Sequence, residues 1–317
     1  LCMTPKRYIE KMVSSYVNLF GNKPSTKYSS PLEKGDHPEL DSSEFLDMKG
    51  IQQYQSMVGA MQWAVSIGRL DITTAVMTMS SFRAMPRRGH MDRVKRIYGY
   101  LYKMKEAIIR VRTAEPDYSA LPDQQFDWAQ TVYGDISEII PEDIPTPLGK
   151  YVTLTHYFDA NLYHDMLTGR SVTGILHLFN KTPIDWYSKK QATVETATYG
   201  SEFIAGRTCV AQVIDLRTSL RYLGVPIRAR SYVFGDNKSM VDSSTTPHAK
   251  LHKRHNALSF HRVREAVAAK IIAMYHLDGI YNPADILSKH WGYQQIWRNL
   301  RPILFYQGDT ANLYDED

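Results

Sequence analysis

The spacing of apolar residues changes character near Lys150, and that change limits the possible folds more than any other feature of the chain. Before it, apolar side chains recur every three or four residues. Ile51, Tyr54, Met57, Val58, Met61 and Val65 share one face of a helix predicted over 51–67. Asp71 is placed to cap a second helix carrying Ile72, Val76 and Met79. Pro86 and Gly89 interrupt the pattern, and a third helix sets Val94, Ile97, Tyr98, Leu101 and Met104 on one face. The methionines here read as core filling, with no cofactor box among them. After Lys150 the period shortens. Residues 151–159, 171–179 and 183–188 read as strands, followed by a long helix over 196–223 and a strand at 231–236. A helix at 257–270, a strand at 271–277 and a mostly helical stretch at 283–300 follow. This order predicts an α/β domain with a mixed sheet.

Between the two patterns, residues 113–149 carry Pro116, Pro122, Pro141, Pro145 and Pro147 among acids such as Asp123, Asp135, Glu142 and Asp143. They read as an acidic connection between domains, with one short ordered piece near Trp128. At 317 residues the chain is long enough for two cores. With 43% hydrophobic and 22% charged residues it has the composition of an ordinary globular protein. No apolar run approaches a bilayer span and the first residues are no signal peptide, so no membrane partner is expected. The chain starts without Met and in mid-pattern, which reads as a piece of something longer.

Cys2 and Cys209 are far apart, which excludes a thiolate zinc site, makes a disulfide framework unexpected and fits a reducing intracellular setting. The formal charge of +5 is unevenly spread. Residues 83–112 hold Arg83, Arg87, Arg88, Arg93, Lys95, Arg96, Lys103, Lys105, Arg110 and Arg112. A second cluster, Lys250, Lys253, Arg254, Arg262 and Arg264, is interleaved with His248, His252, His255 and His261. Such clusters suit a polyanion partner or, equally, a solvated helix face.

Four acids have distinctive settings. Asp159 follows the strand Leu154–Phe158, and Glu202 opens Glu202-Phe203-Ile204-Ala205 in the long helix. Asp236 follows Tyr232-Val233-Phe234-Gly235, and Asp285 lies in Asn282-Pro283-Ala284-Asp285-Ile286-Leu287, where a loop becomes a helix. Carboxylates at strand ends and on a facing helix can converge, and converging carboxylates stay ionised together only when cations hold them.

In order along the chain, these segments resemble the end of a copia-type (Pseudoviridae) retrotransposon polyprotein. Tyr54-Gln55-Ser56-Met57-Val58-Gly59 resembles the family's tyrosine-x-x-leucine-valine-glycine, and Arg69-Leu70-Asp71-Ile72 its arginine-proline-aspartate-isoleucine, with Leu70 in place of proline. Asp159-Ala160-Asn161, Thr168-Gly169-Arg170, Trp186-Tyr187-Ser188-Lys189-Lys190-Gln191, Glu202-Phe203-Ile204-Ala205, Asp236-Asn237-Lys238-Ser239 and the segment from Asn282 to Lys289 resemble its RNase H domain. Two departures stand out. The family carries a second glutamate two residues before the catalytic one, and this chain has Gly200 there; Glu195 lies seven positions before Glu202, on a different part of the helix face. The tyrosine-x-aspartate-aspartate hairpin of the polymerase is absent from the sequence, so no polymerase activity is expected of it.

The resemblance implies an RNase H-like mixed five-stranded sheet with flanking helices over 150–310, a smaller helical thumb- or connection-like region over 1–112, the linker 113–149 and a tail, 311–317. It implies hydrolysis of the RNA strand of RNA–DNA hybrids with two Mg²⁺ ions, or Mn²⁺, held by Asp159, Glu202, Asp236 and Asp285. His255 would serve proton transfer at the leaving oxygen or product release. Asn237 would contact a 2′-hydroxyl, and Lys189, Lys190, Gln191 and Arg254 would contact phosphates. The implied partners are the hybrid and the rest of a reverse-transcriptase polyprotein, in a cytoplasmic virus-like particle or the nucleus. A catalytically inactive, nucleic-acid-binding remnant of a decayed element is the alternative reading. A metal nuclease of the integrase type is a third, with no use for Asp285.

Overall fold

The first helical region is closed by a short ribbon in which β1 (Cys2–Met3) pairs antiparallel with β2 (Ile109–Arg110). The structure, a computed structural model, describes residues 1–124, 126–251 and 254–292. Inside the ribbon lie α1 (Lys6–Phe20), α2 (Met48–Ser66), α3 (Thr73–Ser80) and α4 (Arg88–Lys103). Helix α1, outside the helices expected from the sequence, ends at Gly21 with φ 75°, a left-handed turn that glycine takes without steric cost. Helix α2 starts three residues earlier than its apolar stripe because the Asp47 side chain accepts a hydrogen bond from the Gly50 amide at 2.7 Å.

Asp71 is not a helix cap. It is buried in the turn before α3, where Arg69 grips both carboxylate oxygens at 3.0 and 2.8 Å and the Tyr100 hydroxyl donates at 2.6 Å. Burying the pair costs desolvation that these bonds offset, while Arg69 Nη1 meets no hydrogen-bond partner among the described residues. The basic face of α4 is also neither free nor merely solvated. Arg93 is bonded to Asp36 at 2.8 Å and to Asp41 at 2.7 Å, and Arg96 to Glu33 at 2.7 Å, all from the segment between α1 and α2. That segment lies so close that a Cβ at Gly99 would stand 2.0 Å from the Ser25 carbonyl oxygen.

The larger part of the chain is built on a five-stranded sheet. Three antiparallel strands, β3 (Leu154–Asp165), β4 (Arg170–Phe179) and β5 (Thr182–Lys190), are followed by α5 (Thr198–Tyr222). Then come β6 (Ser231–Gly235), α6 (Lys238–Thr245), α7 (Ala257–Ala268), β7 (Ile272–His276) and the four-residue α8 (Asp285–Ser288). The strand order is β5-β4-β3-β6-β7, with β6 parallel to both β3 and β7. This is an α/β fold of RNase H-like topology preceded by a smaller helical region. Helix α6 lies outside the helices expected from the sequence, and β3 runs six residues beyond Asp159, with an irregular register between Asn161 and Asp165.

Side chains alternate across the sheet. Ile175 joins Phe158, Phe203, Val210 and Phe260 under α5 and α7, whereas Leu176 and Leu178 join the core of the helical region. One face is therefore covered by the fold's own helices and the other by α8 and the first four helices. The 113–149 segment straps the same body. Trp128 is buried in the core beneath α5 and α7, and Gln124 Oε1 accepts from the Met274 amide on the edge strand β7 at 3.2 Å. Glu138 holds Arg217 and Arg221; burial works against its charge, but the two guanidiniums bring its pKa down to about 2.

The expected helix over 283–300 is corrected within the described residues: it stops at Ser288, and Lys289 is extended. Trp291 then drops into the helical region's core, its Nε1 donating to the Asp71 carbonyl at 3.1 Å. The remainder of that expectation, the 311–317 tail, the end of the 150–310 region, and His252 and Lys253 lie outside the described residues.

Candidate active site

Parallel pairing sets the first two acids side by side. Tyr157 is in register with Phe234, and two residues further along each strand stand Asp159 and Asp236. Asp285 arrives on α8, which is fastened to β3 by Asn282. The Asn282 amide donates to the Phe158 carbonyl at 2.9 Å, and its Oδ1 accepts from the Ala284 amide at 3.1 Å. The close approach is possible because Gly174, the antiparallel partner of Asp159, has no side chain. A Cβ there would lie 2.6 Å from the Ala284 oxygen and 2.8 Å from the Ser288 nitrogen, both backbone atoms.

As a result, Asp159, Asp236 and Asp285 each offer a carboxylate oxygen within 4.8 Å of the others. Glu202 is not within that group of three. It is buried beside it on α5, where Oε1 accepts from the Ala160 amide at 3.2 Å and Oε2 meets no hydrogen-bond donor among the described residues. Burial and then the Asp159 charge raise Asp236 to about 7 and Asp285 to about 6. Burial, Asp159 and Asp236 together hold Glu202 well above the usual carboxylate range.

Two further residues complete the cluster. The Ser288 hydroxyl donates to Asp159 Oδ2, and the Lys289 ammonium bonds Asp285 and lies 3.7 Å from Asp159 Oδ2. Burial disfavours the charge on Lys289, but Asp159 and Asp285 more than offset it and raise its pKa. No sequence expectation assigns either residue a role. The spacing of four between Asp285 and Lys289 was the available signal, since such pairs meet on one face of a helix. All-oxygen donors, pKa values raised by burial and by neighbouring carboxylates, and an unpartnered buried oxygen on Glu202 fit hard divalent cations such as Mg²⁺ or Mn²⁺.

The other singled-out residues divide. Lys189 is exposed and, through Thr173, stands in register with Ala160 beside the acids. Lys190 is ion-paired with Asp165 at the β3–β4 turn. Gln191 is buried, donating to Thr173 Oγ1 at 3.0 Å and the Ser201 carbonyl at 2.9 Å, so it braces β4 to α5 instead of facing a phosphate. Asn237 Oδ1 caps α6 by accepting from the Met240 amide at 3.0 Å. Arg254 is exposed. His255 is exposed too, but its Nε2 is bonded to Glu195 at 3.0 Å. His261 is on the surface with its Nδ1 2.7 Å from the Tyr133 hydroxyl. Arg264 of the second basic cluster is buried, donating to the Thr246 carbonyl at 2.7 Å and the Pro247 carbonyl at 2.6 Å.

No protein-family model matches the chain. It is 26% identical over 296 residues to the retrovirus-related Pol polyprotein from transposon TNT 1-94 of Nicotiana tabacum, a match covering 91% of this chain and 19% of that protein. It is 22% identical over 289 residues to the corresponding polyprotein from transposon RE1 of Arabidopsis thaliana, covering 91% of this chain and 17% of that protein. The chain thus spans about a fifth of the length of these relatives, and its link to copia-type Pol polyproteins is a distant one. Among solved structures, LC11-RNase H1 in complex with RNA/DNA hybrid is 14% identical with a TM-score of 0.35, covering 43% of this chain and 94% of that one.

Proposed function

We propose that this chain hydrolyses the RNA strand of RNA–DNA hybrids, as the RNase H part of a copia-type reverse transcriptase. The observation that carries the reading is the meeting of Asp159, Asp236 and Asp285, from three separate elements of an RNase H-like sheet, within 4.8 Å. With Glu202 they form the set that would hold two Mg²⁺ ions. Bound divalent cations supply Lewis acidity toward the scissile phosphate.

The chain's own groups have distinct parts in this reading. Ser288 orients Asp159 through Oδ2, and Lys289 offsets part of the clustered negative charge. Lys189 and Arg254, both exposed, would take phosphates of the hybrid. The Asn237 amide nitrogen would donate to a 2′-hydroxyl, because its oxygen is engaged in the α6 cap. His255 would give a proton to the leaving 3′ oxygen. The rest of a reverse-transcriptase polyprotein is the proposed covalent partner.

The test is cleavage of an end-labelled RNA–DNA hybrid with Mg²⁺, with Asp236→Asn as control. Absence of magnesium-dependent cutting by the intact chain would overturn the enzymatic reading; cutting by Asp236→Asn would overturn the assignment of the acids. One observation favours the second reading, an inactive binding remnant: Lys289 already places a cation between Asp159 and Asp285. In that case the hybrid binds uncut and Mg²⁺ leaves thermal stability unchanged.

A further inference from the structure

Glu195 lies between β5 and α5 and is only 3% exposed, yet its Oε2 meets an exposed imidazole, His255 Nε2, at 3.0 Å. A buried carboxylate is costly unless it is bonded, so its placement under a surface histidine calls for an explanation. The space it fills is made by Gly200. A Cβ at that position would stand 2.2 Å from Glu195 Oε2 and 2.9 Å from Asn256 Nδ2, the residue after His255. Glycine is a poor helix former. Gly200 sits in the first turn of α5, so its value here is the room it leaves. Gly200 is also the position where the resembled motif carries its second glutamate.

We propose that Glu195 is the positioning residue for His255, delivering from the loop the carboxylate that the helix lacks at Gly200. The inference rests on the reading of His255 as the group that serves the leaving oxygen. A carboxylate only accepts, so His255 carries hydrogen on Nε2, and Nδ1 is the nitrogen presented to the substrate. In the cleavage step the water oxygen bonds to phosphorus as the bond from phosphorus to the 3′ oxygen breaks, and the water's proton passes to solvent. The electron pair of the broken bond stays on the 3′ oxygen, which takes the proton from Nδ1 of the imidazolium. The ring is left neutral with hydrogen on Nε2, still donating to Glu195, and Nδ1 is reprotonated from solvent.

The experiment uses the full chain with ¹⁵N-labelled histidine. Long-range proton–nitrogen spectra read the tautomer of His255, assigned by the peak lost in His255→Gln. The neutral ring is expected with hydrogen on Nε2 in the wild type and in Glu195→Gln, whose amide oxygen also accepts. Glu195→Ala is expected to give a mixture, with kcat for hybrid cleavage about 10-fold lower or more and KM little changed. The double variant Glu195→Ala with Gly200→Glu is expected to recover both the tautomer and most of kcat, whereas Gly200→Glu alone crowds the site and lowers stability. An unchanged tautomer in a folded Glu195→Ala protein would overturn the proposal. So would a double variant no better than Glu195→Ala alone. Failure of the wild type to cut the hybrid would defeat the functional reading, while the spectra would still decide the Glu195–His255 relation.

Discussion

The Thr74 hydroxyl donates to the Ile286 carbonyl at 2.9 Å, joining α3 to α8 across 212 residues of sequence. With the Trp291–Asp71 bond it clamps the four-residue α8, which Asn282 fastens to β3, from the side of the helical region. A helix that short has no stability of its own. Asp285 therefore depends on contacts from both sides.

Loosening that clamp should weaken the site without touching an acid. Thr74→Val removes the bond to Ile286 and the one its hydroxyl accepts from Ser188 at 3.3 Å, and is expected to cost about 1–2 kcal/mol. Trp291→Ala removes a packed aromatic as well and is expected to cost about 3 kcal/mol or more. Chemical denaturation measures both losses. Hybrid cleavage at fixed low Mg²⁺ should fall in the same order and be partly restored by raising Mg²⁺. Equal cleavage by all three proteins would show that α8 holds its place without the helical region.

How much of this was legible in the sequence depends on the range of the interactions. Most strand and helix types after Lys150 follow from local periodicity, but β3 runs six residues past Asp159, α6 lies where no helix is expected and α8 stops at Ser288. Asp71 reads from sequence as a cap because a cap and a buried ion pair look alike until Tyr100 and Arg69 are brought together. The α4 cations read as suited to a polyanion or to solvent alike because their acidic partners, Glu33, Asp36 and Asp41, lie more than fifty residues away. Gln191 belongs to a motif, and a motif does not say which way a side chain faces.

Asp236 should make the metal-free protein less stable as pH rises. Its folded pKa, about 7, is above the ordinary value of 3.8, so the folded state keeps a proton that the unfolded state has released. Stability is intact below pH 4 and is lost progressively up to about pH 7. Asp236→Asn lacks this loss. Without metal at pH 8 its melting temperature should exceed the wild type's by roughly 2–5 °C, allowing for the partial exposure of the group. At pH 4 the two should coincide. Millimolar Mg²⁺ should raise the wild-type melting temperature and the variant's much less. An Asp236→Asn protein no more stable at pH 8 than at pH 4, relative to wild type, would contradict the clustered-carboxylate electrostatics.

The neutralised face of α4 bears on salt dependence. Each cation that contacts a phosphate contributes close to one unit to the slope of log K against log salt. Lys189→Ala and Arg254→Ala should each reduce the slope for hybrid binding by about 1. Arg93→Gln should leave the slope alone and lower stability instead, because Arg93 is committed to Asp36 and Asp41. Fluorescence anisotropy over a range of potassium concentrations separates the outcomes. A reduced slope for Arg93→Gln would place α4 on the duplex.

His156 and His177 form a buried pair whose Nδ1 atoms are 2.7 Å apart, with His177 Nε2 3.0 Å from Gln212 Oε1. The Gln212 oxygen accepts, so His177 carries hydrogen on Nε2 and its Nδ1 accepts from His156 Nδ1–H. Both rings are neutral in this arrangement, and burial pushes both pKa values below the usual 6.5. In the unfolded chain both would take up protons near that value, so the folded protein loses stability as pH falls below it. Replacing both by leucine removes the titration and the polar pair together. The stability difference between wild type and His156→Leu/His177→Leu, measured by urea denaturation, should move against the wild type by about 2 kcal/mol between pH 6.5 and 5.5. Above pH 7.5 it should be constant. Glu138, with its pKa of about 2, acts only below its ordinary 4.5 and leaves this window clear. His164 and His290, also lowered by burial, are present in both proteins and cancel in the difference. A difference that stays flat from pH 7.5 to 5.5 would mean that the pair already holds a proton in the folded core.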